Sequence, residues 1–342
     1  MRTSLSRTAV AALALVAASL GAAEAKTYRI AISNGWVGSE WRTQMVEETL
    51  AAAKAWKDKG IDVEVVVQSK TIDVQGQIAD VRNFINQKVD AILLNPNSPT
   101  AFNPTFAQAK KAGILVVSTD GEVASKDAYF VGIDQKEWAM LSAQWLVDTL
   151  KGKGNIVTIN GVAGHPANQA RVAGVKDVLA KAPDVKVLNE ANADWDSAKA
   201  QQVTQTLLAT YPNLDGIWTQ DGQASGVWTA LDAAGKANLP ATGELRASFV
   251  RQWADKKWNA AASINPPGCM ANALHVAVLM LEGNKLRDGA LAGPNGNALY
   301  VPTQLITSEN VAEIAKSLEG KPDYAFVSLV LSPDELKAKF FQ

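Results

Sequence analysis

The chain of 342 residues has one cysteine, Cys269, and two histidines, His165 and His275. One cysteine excludes an internal disulfide, so the fold rests on burial, and Cys269 is expected to pack as a small apolar residue. The histidines and the cysteine are too few for most hydrolytic machinery, and no His/Cys/Asp/Glu run has metal-ligand spacing. There is no Gly-x-Ser-x-Gly elbow, no Walker sequence and no Gly-x-Gly-x-x-Gly loop. Charge of one sign is missing too. With 33 basic and 34 acidic residues there is no electrostatic footprint for nucleic acid and no polybasic membrane patch. The apolar run 9–20 is shorter than the roughly 18 residues of a spanning helix, and no later run is longer.

That run has another reading. Arg2 and Arg7 precede it and Ala23-Glu24-Ala25 follows, the layout of a cleaved secretory signal peptide over 1–25. No cysteine stands at the cleavage site for a lipid anchor, so a soluble periplasmic protein starting at Lys26 is expected. A chain of this length predicts two domains.

Short β-branched runs at 28–33, 63–69, 91–96, 114–119 and 129–134 read as strands, and 40–57, 73–87 and 102–111 have helical spacing. The pattern restarts with strands at 155–160, 185–191 and 216–221 and helices at 167–181, 197–210 and 223–234. Near-continuous apolar strands alternating with helices predict parallel sheets covered on both faces. Segments 84–96 and 207–221 share one layout, a helix end, a turn, an Asp, a buried strand and a polar tip. The expected fold is therefore α/β, with two doubly wound parallel-sheet domains.

Ligands bind such sheets beyond the carboxyl ends of the strands. The tips here are rich in Asn, Asp, Gln and Trp, with Trp36, Trp41 and Trp195 at or beside them. Turn formation explains single Asn, Asp and Gly residues but not recurring indoles. Planar two-atom groups meet hydroxyls, and indole faces cover C–H patches, so the set fits an uncharged polyhydroxylated ligand. Arg171 and Arg246 leave an amino-acid ligand open. Asp120, Glu122, Asp194, Asp196, Asp221 and Glu244 near the tips leave a carboxylate pair for acid–base chemistry open, but no nucleophile, metal or cofactor accompanies them, and no enzyme is expected.

His165, just before Pro166, falls at the site edge or in solvent, and His275 reads as a packed helical residue. Trp218 reads as core. Trp56, Trp138, Trp145 and Trp228 read as helix packing or surface, and Trp253 and Trp258 divide evenly between pocket and core. Ser39 reads as an N-cap.

The stretches "IAISNGWVGSEW", "DAILLNPNSP", "AGILVVSTDGE", "INGVAGHPANQARVAGV", "ADWDSAKAQQVTQTLLATYPNLDGIWTQDG" and "AASINPP" resemble, in order and spacing, the type I periplasmic sugar-binding proteins of ABC transporters, the ribose-binding-like group. The resemblance runs from about residue 28 to about 306. It implies two lobes, 26–131 with 266–300 and 132–264 with about 301–342, joined by three crossings near 131–134, 263–265 and 300–304; the tail over 307–342 goes beyond the resemblance and packs on one lobe, its side left open.

It also implies binding positions. Asn34, Trp36 and Trp41, with Glu40 beside them, match the first-strand loop, and Asp120 matches the fourth-strand Asp. Of two arginines usual in the next segment, Arg171 keeps one, while Gln169 takes the other's place beside Asn168. Trp195 matches an aromatic. Asp221, Glu244 and Asn265 stand where Asn, Asp and Gln are usual. So altered a code implies another pentose, a hexose or a polyol rather than ribose. The resemblance implies a monomer that closes on a small sugar or sugar alcohol and delivers it to an ABC permease, with no cofactor. The same fold also serves a sensor that presents a sugar-like signal to a chemoreceptor or sensor kinase. Helices are expected at 308–320, capped by Ser308, and after Ser332, with Pro333 in the first turn.

Overall fold

A computed structural model describes residues 26–342; the expected signal peptide lies outside the described residues. Strand and helix alternate through β1 (Lys26–Asn34), α1 (Glu40–Ala55), β2 (Ile61–Ser69), α2 (Val74–Asn86), β3 (Ala91–Asn95), α3 (Asn103–Lys111), β4 (Leu115–Ser118) and β5 (Tyr129–Gly132). A second round follows with α4 (Gln135–Thr149), β6 (Gly154–Asn160), α5 (Pro166–Leu179), β7 (Val185–Asn192), α6 (Ser197–Thr210) and β8 (Gly216–Thr219). It ends with α7 (Ala224–Ala233), β9 (Ala241–Thr242), α8 (Ala247–Lys256) and β10 (Ala260–Ser263). Then come α9 (Cys269–Leu281), β11 (Ala298–Tyr300), β12 (Leu305–Thr307), α10 (Val311–Ser317) and α11 (Pro333–Phe340).

The strands form two six-stranded sheets of one order, β2-β1-β3-β4-β5-β11 and β7-β6-β8-β9-β10-β12. All pairings are parallel except β10 with β12. The layout shared by 84–96 and 207–221 has its structural meaning here, because β3 and β8 hold the same place in each sheet. Every residue of β3 and of β8 is buried, as expected for central strands covered by helices on both faces. The chain passes between the sheets after β5, after β10 and after β11. In each sheet the order reverses beside the first strand, so the crevices open at the tips of β1 and β3 and of β6 and β8.

The tail is expected on one lobe, with the side left open, yet it divides: α10 packs on α8 and α11 packs on α9, a helix lying on the first sheet. Leu336, Phe340 and Phe341 supply the apolar contact that draws the last turns there. Ser332 and Glu335 form the expected capping box. Ser308 does not cap α10; it donates its hydroxyl to the Trp258 carbonyl at 2.8 Å.

Trp218, Trp138, Trp56 and Trp228 are buried in the core, and Trp253 and Trp258 join them, with Trp258 stacked on Trp228 at 4.6 Å. Cys269 is buried, which raises its pKa and leaves it a packing residue.

His275 is buried, and its Nδ1 accepts the Trp56 indole N–H at 2.9 Å. Burial lowers its pKa from 6.5 to about 4, with Lys59 adding to the effect. Unfolding exposes the ring, so the unfolded chain binds the extra proton first and stability falls as pH drops from 6.5 through about 4. The full loss is about 3 kcal/mol. Urea unfolding at pH 7.5 and 4.5 should therefore show a stability drop about 2–3 kcal/mol larger in the wild type than in His275→Gln; equal drops would contradict this.

Candidate functional site

The β-strand tips of the two sheets face each other across a narrow cavity of about 40 Å³. Each wall comes from loops that follow strands. Trp36, Ser39, Trp41 and Arg42 come from the β1 loop and the first turn of α1, and Asp120 from the tip of β4. Arg171 comes from α5, Trp195 from the turn before α6, Asp221 and Gly222 from the tip of β8, and Asn265 from the segment after β10.

Two acid–base pairs form the polar floor. Arg42 Nη2 lies 3.6 Å from Asp120 Oδ2, and Arg171 Nη1 donates to Asp221 Oδ1 at 2.6 Å. Gln135, the first residue of α4, ties them together. It accepts from Arg171 Nε at 2.8 Å and donates to Asp120 Oδ1 at 3.1 Å. Asn95 donates to Asp120 Oδ2 at 3.2 Å, and Asn265 donates to Asp221 Oδ2 at 3.1 Å. Burial lowers the Arg42 pKa and Asp120 raises it again; a guanidinium stays charged under either influence. Two cations facing two anions leave the cavity with no net charge to offer an ionic ligand. What it offers is spare carboxylate lone pairs and spare guanidinium N–H groups, the partners a hydroxyl needs.

The apolar wall consists of indoles. Trp36 and Trp195 meet across the cavity with ring centroids 6.2 Å apart and planes tilted by 54°. Each lies on a glycine. A Cβ on Gly38 would stand 2.3 Å from the Trp36 ring, and one on Gly161 would stand 2.1 Å from the Trp195 nitrogen. Asp194 and Trp195 both hold left-handed backbone, with φ of 56° and 58°, a conformation bulky residues avoid. Such strain gathers where a side chain must point one way. The roles of the β1-loop indoles differ. Trp41 donates its N–H to the Asn265 carbonyl at 2.8 Å, joining α1 to the segment after β10, whereas Trp36, among the described residues, has only ring contacts and the Arg42 cation, 5.7 Å from its centroid. Trp41 therefore holds the walls together and Trp36 presents a face.

Seven of the residues expected from sequence line the cavity: Trp36, Trp41, Asp120, Arg171, Trp195, Asp221 and Asn265. The other five stand elsewhere. Asn34 is buried behind Arg42, accepting from its Nη1 at 2.9 Å and donating to Ser69 Oγ at 2.9 Å, so it aims the guanidinium. Asn168 accepts from the Gly161 N–H at 2.9 Å and from Gln220 Nε2 at 2.7 Å, which fixes the seat of Trp195. Glu40 is exposed at the rim and pairs with Arg246 Nη1 at 3.0 Å. Glu244 is fully buried, accepting from Arg246 Nε at 3.1 Å and from the Ser225 hydroxyl; burial raises its pKa. Gln169 is exposed, because residues two apart on a helix point to different faces and Arg171 takes the inner one.

Arg42, Ser39, Gln135 and His165 had no place in that set. Arg42 carried a faint signal: a cation in the first turn of a helix opposes the helix dipole, so something else holds it there. Ser39 occupies the N-cap position of α1, yet its side chain makes no capping bond; it lines the cavity instead. His165 is buried at the N-cap of α5, edge-on to Trp195 with centroids 4.9 Å apart.

A family model described as a periplasmic binding protein domain matches residues 30–285. The chain is 34% identical over 188 residues to a xylitol-binding protein of Mycolicibacterium smegmatis, a match spanning 54% of each chain, about half of that relative. It is 29% identical over 252 residues to a D-ribose/D-allose-binding protein of Pseudomonas aeruginosa, covering 69% of this chain and 78% of that one. A crystal structure of an ABC transporter solute binding protein from Thermobispora bispora superposes with a TM-score of 0.78 at 29% identity, over 91% of this chain and 94% of that chain. With the twin sheet orders and the three crossings, these matches lead to one conclusion: the chain belongs to the periplasmic binding protein family and has its two-lobed type I fold.

Proposed function

We propose that this protein captures a small, uncharged sugar or sugar alcohol between its two sheets and delivers it to an ABC permease. The observation that carries the reading is the charge-balanced floor, Arg42 with Asp120 and Arg171 with Asp221, under a wall of indoles. Hydroxyls insert into such a floor without leaving an ion unpaired. An amino acid would need a free cation for its carboxylate and a free anion for its ammonium, and here each such group already faces its opposite. The carboxylates are tied to guanidinium and amide donors, an arrangement for gripping rather than for proton transfer, so the protein acts as a binder and not as an enzyme.

The lobes we assign are 26–131 with 266–300, and 132–264 with the chain up to α10. They close by hinge motion at the three crossings. Residues 1–25 act as the signal for export to the periplasm. The xylitol-binding and D-ribose/D-allose-binding relatives support a polyhydroxylated ligand. A thermal-shift screen with pentoses, hexoses, alditols and amino acids tests the reading. A sugar or alditol at about 1,000 times its Kd should stabilise the protein by about 4 kcal/mol. A clear shift with an amino acid and none with any sugar or alditol would refute it.

A further inference from the structure

We propose that His165 couples ligand capture to loss of a proton: the cleft closes on its ligand with the neutral imidazole, so capture weakens in acid. The inference rests on the sugar-binding reading above. Its ground is that both ring nitrogens face donors. Arg42 Nη2 stands 3.3 Å from Nε2, and the Ala167 backbone N–H points at Nδ1 from 3.2 Å. A neutral ring has one lone pair to offer and satisfies one of these donors. An imidazolium has none, and both its N–H groups would meet N–H groups.

The charges around the ring point the same way. From α1 it faces the Arg42 guanidinium, and from its own helix it feels Arg171; Asp120 stands behind Arg42 at 3.6 Å. Trp195 covers the ring edge-on, and the residue is only 5% exposed. Burial and the two arginines hold the ring's pKa well below its ordinary 6.5 in this closed arrangement.

One of the two donors belongs to the other lobe. Ala167 travels with His165 on α5, whereas Arg42 sits on α1. Parting the lobes therefore removes Arg42 and widens the cavity of about 180 Å³ that both residues line, which brings water to the ring. In the open cleft the hydrated imidazole, freed of Arg42 but still beside Arg171 and the Ala167 N–H, titrates closer to its ordinary 6.5. The cycle balances: open protein with imidazolium plus ligand gives closed complex with imidazole, and the proton leaves to solvent. His165 is a positioning residue, because only the neutral ring keeps a lone pair for one of the two donors that the closed cleft sets against it, beside the Arg42 guanidinium that faces the cavity.

The test begins by titrating the protein with xylitol, D-ribose and D-allose at pH 7.5 in a calorimeter, and repeats any that binds at pH 5.0. Linkage predicts a weaker affinity at pH 5.0 in the wild type, by up to about 30-fold. His165→Gln should lose most of that slope, whatever its affinity at pH 7.5. Binding near pH 6 should also release protons, seen as a heat that depends on the buffer's ionisation enthalpy. An equally steep slope in His165→Gln, or a flat one in the wild type, overturns the proposal. If none of the three probes binds at pH 7.5, that result bears on the choice of sugar and not on His165. His165 is then tested without ligand, by small-angle scattering. The closed fraction should fall between pH 7.5 and 5.0 in the wild type and hold steady in His165→Gln; the same response in both overturns it.

Discussion

Asp120→Asn should weaken sugar binding by at least about 100-fold while leaving the unfolding free energy of the ligand-free protein within about 1 kcal/mol. Asp120 is 6% exposed and already accepts from Asn95 and Gln135, so its remaining lone pairs point at Arg42 and the cavity. A hydrogen bond to an ionised group contributes about 1.5–3 kcal/mol, and two ligand hydroxyls make the loss about 3–6 kcal/mol. Closure adds to this. The substitution leaves Arg42, 3% exposed in the closed cleft, without its counter-charge, so the penalty falls on closing rather than on folding. Asparagine is the better probe than alanine because Asp120 holds a left-handed backbone, φ 61°, which Asn tolerates and Ala does not. Calorimetric titration beside urea unfolding checks both halves; unchanged affinity would mean that the cavity is not the site.

Arg171→Met should abolish detectable binding and also lower stability, by about 3–5 kcal/mol. Arg171 is 1% exposed, stacks on Trp138 at 4.0 Å and donates to both Gln135 and Asp221. Methionine replaces the stem's packing but strands the Asp221 carboxylate and the Gln135 oxygen. Adding Asp221→Asn removes the stranded charge, so the double variant should regain much of the stability and none of the binding. Recovery of binding in the double variant would contradict the role given to the pair. Arg171→Lys should not substitute, since a point charge cannot serve Nε and Nη1 partners in one plane.

Much of this was legible before any coordinates because parallel sheets write themselves into sequence. A run such as Ala91–Asn95, apolar until its polar tip, is what a strand covered on both faces must be, and the tip is where a ligand sits. The indoles at 36, 41 and 195 were visible because turn chemistry does not account for them. What stayed hidden depends on tertiary distance. Gln135 joins the two acid–base pairs only because α4 begins beside the β4 tip, and nothing local marks it. Gln169 was misplaced by matching positions without the helix phase that turns it outward. Glu244 and Asn34 were found as polar groups near tips, but burial sets them behind the cavity, where they bond to other side chains. Strands of two or three residues, β9, β11 and β12, carry too little pattern to be read, and the docking of α11 on α9 is a matter of which apolar face lies within reach.

The most direct measurement is a crystal structure of the protein with the sugar or alditol that gives the largest thermal shift. The account predicts one molecule between the sheets, with hydroxyls within hydrogen-bond reach of Asp120 on one side and Asp221 on the other, and a C–H face against Trp36 or Trp195. A ligand bound outside this cavity, or one holding a charged group against an arginine whose aspartate has swung away, would contradict it.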